Sequence, residues 1–180
     1  MDGEPRIVIT GGPGSGKTSL IEALAALGHP VEPEAGRAVI RSQQAAGGEG
    51  LPWKDRALFA DLMLDSDIAA HARHEGAKRP VFFDRGIPDV AGYLTLCGLP
   101  VPERLATAAQ TLRYRPIVFI APVWPEIFAQ DAERRQDLDE ARRTYEAMAS
   151  IYPAFGYDLV ELPFASVAER AAHVLERAGA

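Results

Sequence analysis

The fold of this 180-residue chain is decided by the stretch Gly11-Gly12-Pro13-Gly14-Ser15-Gly16-Lys17-Thr18, which follows an apolar run at residues 7–9. Its spacing matches G-x-x-x-x-G-K-[ST] at every fixed position, the pattern of a P-loop. Glycines let successive backbone N–H groups turn toward phosphate oxygens, where a Cβ would block the approach. A glycine-rich turn that carries Lys-Thr by chance is the alternative. The strand pattern before the loop and the amphipathic pattern after it favour a nucleotide site.

The residues of the loop have distinct predicted roles. Lys17 is expected to reach the β- and γ-phosphates, and the Thr18 hydroxyl to bind Mg²⁺. A helix that begins near Lys17 adds the partial positive charge of its N-terminus. The predicted cofactors are ATP, with GTP as an open alternative, and Mg²⁺. The residues expected to contact the nucleotide are Gly11, Gly12, Pro13, Gly14, Ser15, Gly16, Lys17, Thr18 and Ser19.

Length and composition limit the classes of protein. The chain is long enough for one domain, residues 1–180, with a substantial core. A net charge of −6 argues against extended nucleic-acid binding. Cys97 is the only cysteine, which excludes an intrachain disulfide and a Cys-based metal cluster. The start of the chain lacks the features of a signal peptide, and no apolar run is long enough to cross a bilayer, so we expect a cytoplasmic protein without membrane insertion.

Apolar runs alternate with helical patterns along the chain. Such alternation predicts an α/β fold, with a parallel sheet covered by helices on both faces. Ligands on such a sheet bind beyond the carboxyl ends of its strands. The predicted strands lie at residues 6–10, around 31, 81–83, 117–120 and 157–162. A long amphipathic helix is predicted from about residue 54 to 75, and its candidate core positions are Leu58, Leu62, Ile68 and Ala69.

Two charged residues come directly after the third predicted strand. Asp84 at a strand end could bind Mg²⁺ directly or through a water, which a P-loop protein needs. A turn-capping carboxylate before Gly86 is the alternative. Arg85 could hold a phosphate group of the substrate with two hydrogen bonds, or it could pair with a nearby carboxylate for structure. The sequence favours neither role of Arg85.

A second acidic residue, Glu34, lies just past the second predicted strand. It could face the hydroxyl of an acceptor and take its proton as the γ-phosphoryl group leaves ATP. Favourable charge at the first turn of the next helix is the alternative. Arg37 lies one turn later and could hold an anionic group of the substrate, or it could lie on a solvated face.

A polar, proline-flanked segment, residues 122–138, follows the fourth predicted strand. Its Arg134 and Arg135 suit a lid that closes over the site and stabilises charge on the transferring phosphoryl group. Arg142 and Arg143 on the next helix could assist, although ion pairs along that helix are a plain structural use. The predicted catalytic residues are Lys17, Glu34, Asp84, Arg134 and Arg135.

The chain resembles the P-loop kinase-like ATPases that include nicotinamide riboside kinase-type domains, within the nucleoside and nucleotide kinase group. This resemblance rests on residues 11–18, Glu-Ala-Gly-Arg at 34–37, residues 84–89 and residues 133–135. It implies a three-layer fold whose five-stranded sheet has the order 2-3-1-4-5. It also implies an acceptor between the end of the second strand and the Asp84-Arg85 loop. The base would lie between Arg134 and the loop near Pro163.

Two functions agree with these residues. The first is an Mg-ATP-dependent kinase that acts on a hydroxyl of a nucleoside-like or other small metabolite. The second is a regulatory NTPase that binds ATP or GTP and acts through a protein partner. The acid and arginine set favours the kinase. The chain lacks the Arg-rich anion signature of a nucleoside monophosphate site, and neither a specific acceptor nor an oligomeric state follows from the sequence.

Overall fold

The centre of the molecule is a sheet of five parallel strands. The computed structural model describes residues 4–128 and 138–179. The strands are β1 (Arg6–Gly11), β2 (Val31–Glu32), β3 (Val81–Asp84), β4 (Ile117–Ala121) and β5 (Asp158–Glu161). Their order is β2-β3-β1-β4-β5. In the register, Ile7 lies opposite Phe82 and Ile9 opposite Phe119, so β1 is flanked on both sides. The parallel sheet and its predicted order are confirmed.

Helices connect the strands and surround the sheet. Those within the described residues are α1 (Lys17–Ala26), α2 (Ala35–Ala46), α3 (Arg56–Arg73), α4 (Ile87–Leu96), α5 (Glu103–Thr111), α6 (Pro125–Phe128), α7 (Leu138–Ala154) and α8 (Val167–Ala178). The start of α8 is a capping box: the Ser166 hydroxyl accepts a hydrogen bond from the backbone N–H of Glu169 (3.3 Å), and the Glu169 carboxylate accepts one from the backbone N–H of Ser166 (2.9 Å).

The side chains of the strands alternate between two apolar cores. Ile7 and Ile9 of β1 are fully buried against α1 and α8, whereas Val8 faces the opposite core. That second core joins the sheet to α3, α4, α5 and α7. Each fully buried aliphatic or aromatic side chain contributes about 1.5–3 kcal/mol to folding. Because both faces of the inner strands are covered, these strands read as continuous apolar runs in the sequence.

Helix α3 confirms only part of the predicted core face: Ile68 packs against the core and is partly buried, whereas Leu58 and Ala69 are exposed. Leu58, a predicted core residue, is 39% exposed, whereas Phe59 is 4% exposed and packs edge-on against Tyr93. Asp67 lies on the same buried face as Phe59 and Leu64 and is 8% exposed. Apolar residues occur at adjacent positions along α3, so the periodicity does not fix which side turns inward.

The predicted lid, residues 122–138, falls largely outside the described structure. Helix α6 lies within it, whereas Arg134 and Arg135 lie in the part of the chain that is not described. Among the described helices, none combines the length and the apolar character that crossing a bilayer requires.

Candidate functional site

The phosphate loop joins β1 to α1 at the carboxyl edge of the sheet. Gly14 and Gly16 have positive φ angles of 67° and 76°, which glycine adopts without the steric cost of a Cβ. Gly16 is the N-cap of α1, so Lys17 and Thr18 lie in the first turn, where the N-terminus of the helix carries partial positive charge. The loop therefore has the local backbone geometry of an anion site.

The first two glycines of the motif are needed for packing. A Cβ on Gly11 would lie 2.5 Å from the backbone oxygen of Ala121 in β4. A Cβ on Gly12 would lie 2.5 Å from the backbone oxygen of Ala141 in α7. Real Cβ atoms essentially never make contacts this short, so a side chain at either position would displace a neighbouring element. Neither glycine lines the large cavity beside the loop, whereas residues 13–19 do.

The Lys17 ammonium is held by the loop itself. Its Nζ donates to the backbone oxygen of Gly12 (2.5 Å) and to Ser15 Oγ (3.2 Å), and the residue is only 7% exposed. Burial, together with the charge of Arg85, lowers the pKa of Lys17 to about 7. The sequence predicts that Lys17 reaches the phosphates of a nucleotide. In this structure its ammonium group is nearly enclosed by the loop.

Arg170 of α8 supports the loop from behind, a role that sequence reasoning missed. Its guanidinium donates to the backbone oxygens of Ser15 (3.0 Å) and Gly16 (3.5 Å). The residue is 1% exposed, and the guanidinium carbon lies 5.9 Å from the centroid of the Trp124 ring. Burial lowers the pKa of Arg170 from its ordinary value. Its only sequence signal is a charged residue on the face of α8 that also carries Ala171 and Val174.

Asp84 ends β3 with an unsatisfied carboxylate. Its Oδ1 is buried and has no hydrogen-bond partner within residues 4–128 and 138–179. Burial raises the pKa of Asp84, and the nearby charge of Lys17 opposes that shift. Thr18, the other predicted metal ligand, has its hydroxyl 3.5 Å from a guanidinium nitrogen of Arg37. A carboxylate and a hydroxyl beside a phosphate loop are oxygen donors of the kind that Mg²⁺ prefers, so these residues fit the predicted ion.

Glu34 lies between two arginines next to the phosphate loop. Its Oε1 is 3.4 Å from Nε of Arg85, and its Oε2 is 3.2 Å from Nε of Arg37. Burial alone would raise the pKa of Glu34, but the charges of Arg85, Lys17 and Arg37 outweigh it and lower the pKa. Glu34 is therefore ionised at neutral pH.

Arg85 itself has a left-handed backbone conformation, with a φ angle of 72°, which is rare for a residue that carries a side chain.

Asp89 of α4 is a buried acceptor for four donors. Its Oδ1 accepts from the Thr10 hydroxyl (2.5 Å) and from Arg85 (3.0 Å), and its Oδ2 accepts from the backbone N–H of Gly86 (3.0 Å) and from the Tyr152 hydroxyl (2.5 Å). Asp89 belongs to the stretch 84–89 that carries the family resemblance, but its sequence position alone predicts no role for it. Its position four residues after Arg85, on the first turn of a helix, is the signal that could have found it.

A single large cavity brings most of the predicted site residues together. Its volume is about 1220 Å³, and its wall includes the phosphate loop, Glu34, Arg37, Asp84 and Arg85. Pro163 is exposed and does not line it, whereas residues 165–167 of the same loop do.

The predicted arginines contribute unequally to the described site. Arg134 and Arg135 lie outside the described residues, so their predicted role stays a prediction. Arg143 of α7 lines the cavity. Arg142 forms an ion pair with Asp139, with 3.4 Å between its nitrogen and the carboxylate oxygen, in the structural use that the sequence offered as an alternative.

Comparison with protein families gives one match. A family model described as an AAA domain matches residues 6–170, from the first residue of β1 to Arg170. The match includes the phosphate loop, Glu34 and the Asp84-Arg85 pair. The chain belongs to this AAA domain family. No curated protein matches the sequence of this AAA domain.

Solved structures share the fold of this AAA domain at low identity. Deoxyadenosine kinase from M. mycoides, with products dCMP and a flexible dCDP bound, is 13% identical with a TM-score of 0.63, over 97% of this chain and 98% of that chain. NadR protein in complex with NR is 18% identical with a TM-score of 0.68, over 97% of this chain but 50% of that chain, so this AAA domain spans half its length. Shikimate kinase from Acinetobacter baumannii, in complex with shikimate, is 15% identical with a TM-score of 0.62, over 97% of this chain and 93% of that chain.

These findings establish a nucleotide-binding AAA domain with the fold of the P-loop kinases. The resemblance stated from the sequence is thereby confirmed. P-loop proteins of this group use a nucleotide and typically Mg²⁺.

Proposed function

We propose that this AAA domain is an Mg-ATP-dependent kinase that transfers the γ-phosphoryl group of ATP to a hydroxyl of a small, nucleoside-like metabolite. The observation that carries the proposal is the position of Glu34. An ionised carboxylate shares one cavity with Lys17 and Asp84. A cavity of about 1220 Å³ exceeds the usual 300–1000 Å³ of a single ligand site and suits a nucleotide and an acceptor together.

Two clusters of residues in the cavity wall suit two different ligands. Trp124 and residues 165–167 offer an aromatic and loop surface for the base of the nucleotide, and Arg170, which lies near the Trp124 ring, donates to the backbone of the phosphate loop. Glu34 and Asp89, which both pair with Arg85, form a charged cluster that we assign to the acceptor. Thr18 and Asp84 would hold Mg²⁺, which supplies positive charge to the phosphate oxygens when bound.

In the proposed reaction the acceptor oxygen forms a bond to the γ-phosphorus, and the bond from that phosphorus to the bridging oxygen of ADP breaks. Glu34 takes the proton of the acceptor hydroxyl. Arg85 and Arg37 fix the Glu34 carboxylate and keep it ionised. A lowered pKa makes Glu34 a weak base, which agrees with a loose transition state in which the attacking oxygen gives up its proton late. Lys17 stabilises charge on the phosphate oxygens.

Glu34→Gln tests the proposal. The variant keeps the size of the side chain and loses its ability to take a proton, so phosphoryl transfer to an acceptor should fall about 10²- to 10⁴-fold. Affinity for Mg-ATP should stay nearly unchanged. The assay follows ADP formation with a panel of nucleosides and other small alcohols as acceptors, and the affinity is measured by calorimetry.

Glu32→Gln is the matched control, because Glu32 lies two residues earlier, forms an ion pair with Arg73 and makes a hydrogen bond with His74. Its rate of transfer should equal that of the parent protein. If Glu34→Gln transfers at the parental rate, Glu34 is only a charge at the start of a helix. If no acceptor stimulates ADP formation while a protein partner binds in a nucleotide-dependent way, the regulatory NTPase is the correct function.

A further inference from the structure

Asp67 is a buried carboxylate that has no hydrogen-bond donor or ion-pair partner among the described residues. It lies in the middle of α3, is 8% exposed, and lines the large cavity. Its neighbours on the exposed side of α3, Asp61 and Asp65, both pair with Arg104. A buried carboxyl group without a partner costs folding free energy in its charged and in its neutral form, so its presence in the wall of a cavity needs an explanation.

The part of the cavity wall that lies one to two helical turns before Asp67 on α3 is apolar and aromatic. Phe59 and Met63, on the same helix, line the cavity together with Tyr93 of α4, and the rings of Phe59 and Tyr93 are 5.5 Å apart. Gly36 of α2 lies between this wall and Glu34, the proposed general base. A Cβ placed on Gly36 would lie 3.5 Å from Glu34 Oε1 and 3.6 Å from the Phe59 ring. One small molecule can therefore contact both Glu34 and the aromatic wall.

The charge around Asp67 is predominantly negative. Burial first, and then the charges of Asp89, Glu34 and Glu32, raise the pKa of Asp67 well above its ordinary value, and only Arg85 opposes this shift. No described residue donates a hydrogen bond to the Asp67 carboxyl group. A ligand that supplies an N–H group would satisfy it, whereas an anionic group would meet two buried carboxylates, Asp67 and Asp89, at low dielectric.

We infer that Asp67 determines acceptor specificity by accepting a hydrogen bond from an N–H group of the acceptor, whose ring lies against Phe59 and Tyr93. This inference rests on the proposed kinase function. It defines the acceptor as a ring-bearing alcohol with an N–H donor and no anionic group at that end. The donor can belong to a neutral amine or amide, or to an ammonium group.

The first test needs no acceptor. Asp67→Leu removes a buried polar group that lacks a partner, so it should raise the Tm of the free protein by roughly 2–4 °C, whereas Asp67→Asn keeps a polar group there and should change the Tm less. Asp65→Asn is the matched control on the exposed side of α3 and should not raise it. A fall in Tm for both Asp67 variants would make Asp67 a structural residue and overturn the inference.

The second test measures phosphoryl transfer to a panel of probes. The panel contains deoxycytidine, its N4,N4-dimethyl derivative, pyridoxamine and shikimate. We expect deoxycytidine or pyridoxamine to stimulate ADP formation, and the dimethyl derivative and shikimate not to. For the accepted probe, Asp67→Leu should raise KM about tenfold to a hundredfold while KM for ATP is unchanged. Asp67→Asn, which keeps an acceptor oxygen, should have a small effect with deoxycytidine and a large effect with pyridoxamine.

The outcomes separate this inference from the function on which it rests. If a probe is phosphorylated and Asp67→Leu has the parental KM for it, the kinase proposal stands and the inference is wrong. Phosphorylation of shikimate or of the dimethyl derivative at the highest rate in the panel has the same meaning. If no probe stimulates ADP formation, the inference is overturned, whereas the kinase proposal is decided by the wider panel of nucleosides and small alcohols.

Discussion

Lys17 gives the free protein a dependence on pH that nucleotide binding should remove. Its pKa is about 7 in the folded protein, against about 10.4 in an unfolded chain. Between these values the unfolded chain binds more protons than the folded one, so the free energy of unfolding rises with pH from about 7 to about 10. Lys17→Met should abolish this rise, which thermal melts across that range can measure.

Binding of Mg-ATP reverses the environment of Lys17, because phosphate oxygens favour the charged ammonium. Binding at pH 8 should therefore take up protons. Calorimetry in buffers of different ionisation enthalpy measures this uptake. Lys78→Met, at an exposed position, is the control and should take up as many protons as the parent protein. An unchanged uptake in Lys17→Met would show that another group titrates.

Asp84 should determine the requirement for Mg²⁺. Asp84→Asn keeps the shape of the side chain and removes the charge that attracts the ion, so turnover should fall and recover in part at high Mg²⁺. In this variant the affinity for ATP without Mg²⁺ should not fall, because the Asp84 carboxylate no longer repels the phosphates. This measurement is the internal control. Parental activity at low Mg²⁺ would leave Asp84 as a turn cap.

At the scale of elements, α8 should act on nucleotide affinity through the backbone of the phosphate loop. Arg170→Met keeps much of the buried volume but removes the donors to the Ser15 and Gly16 oxygens. Without these donors the loop has to be ordered when nucleotide binds, so Kd for Mg-ATP should rise roughly tenfold, or about 1.4 kcal/mol. Arg177→Met, an exposed change in the last turn of α8, should leave Kd unchanged. Equal Kd values for the two variants would mean that α8 only packs.

The strands and the phosphate loop could be predicted because their signals are local. Each inner strand is an apolar run, and the loop is eight consecutive residues. Three other site residues depend on contacts between distant parts of the chain. Arg170 and Ser15 are 155 positions apart, and Asp89 and Thr10 are 79 apart. Asp67 was missed because the apolar positions of α3 do not show which side faces inward.

For the molecule as a whole, Gly12 has a mechanical consequence. The backbone of the phosphate loop is so close to the backbone of Ala141 that no side chain fits between them. Helix α7 has 17 residues and is about 25 Å long at 1.5 Å per residue. The two backbones have no space between them, so a displacement of the loop toward Ala141 has to move α7 with it.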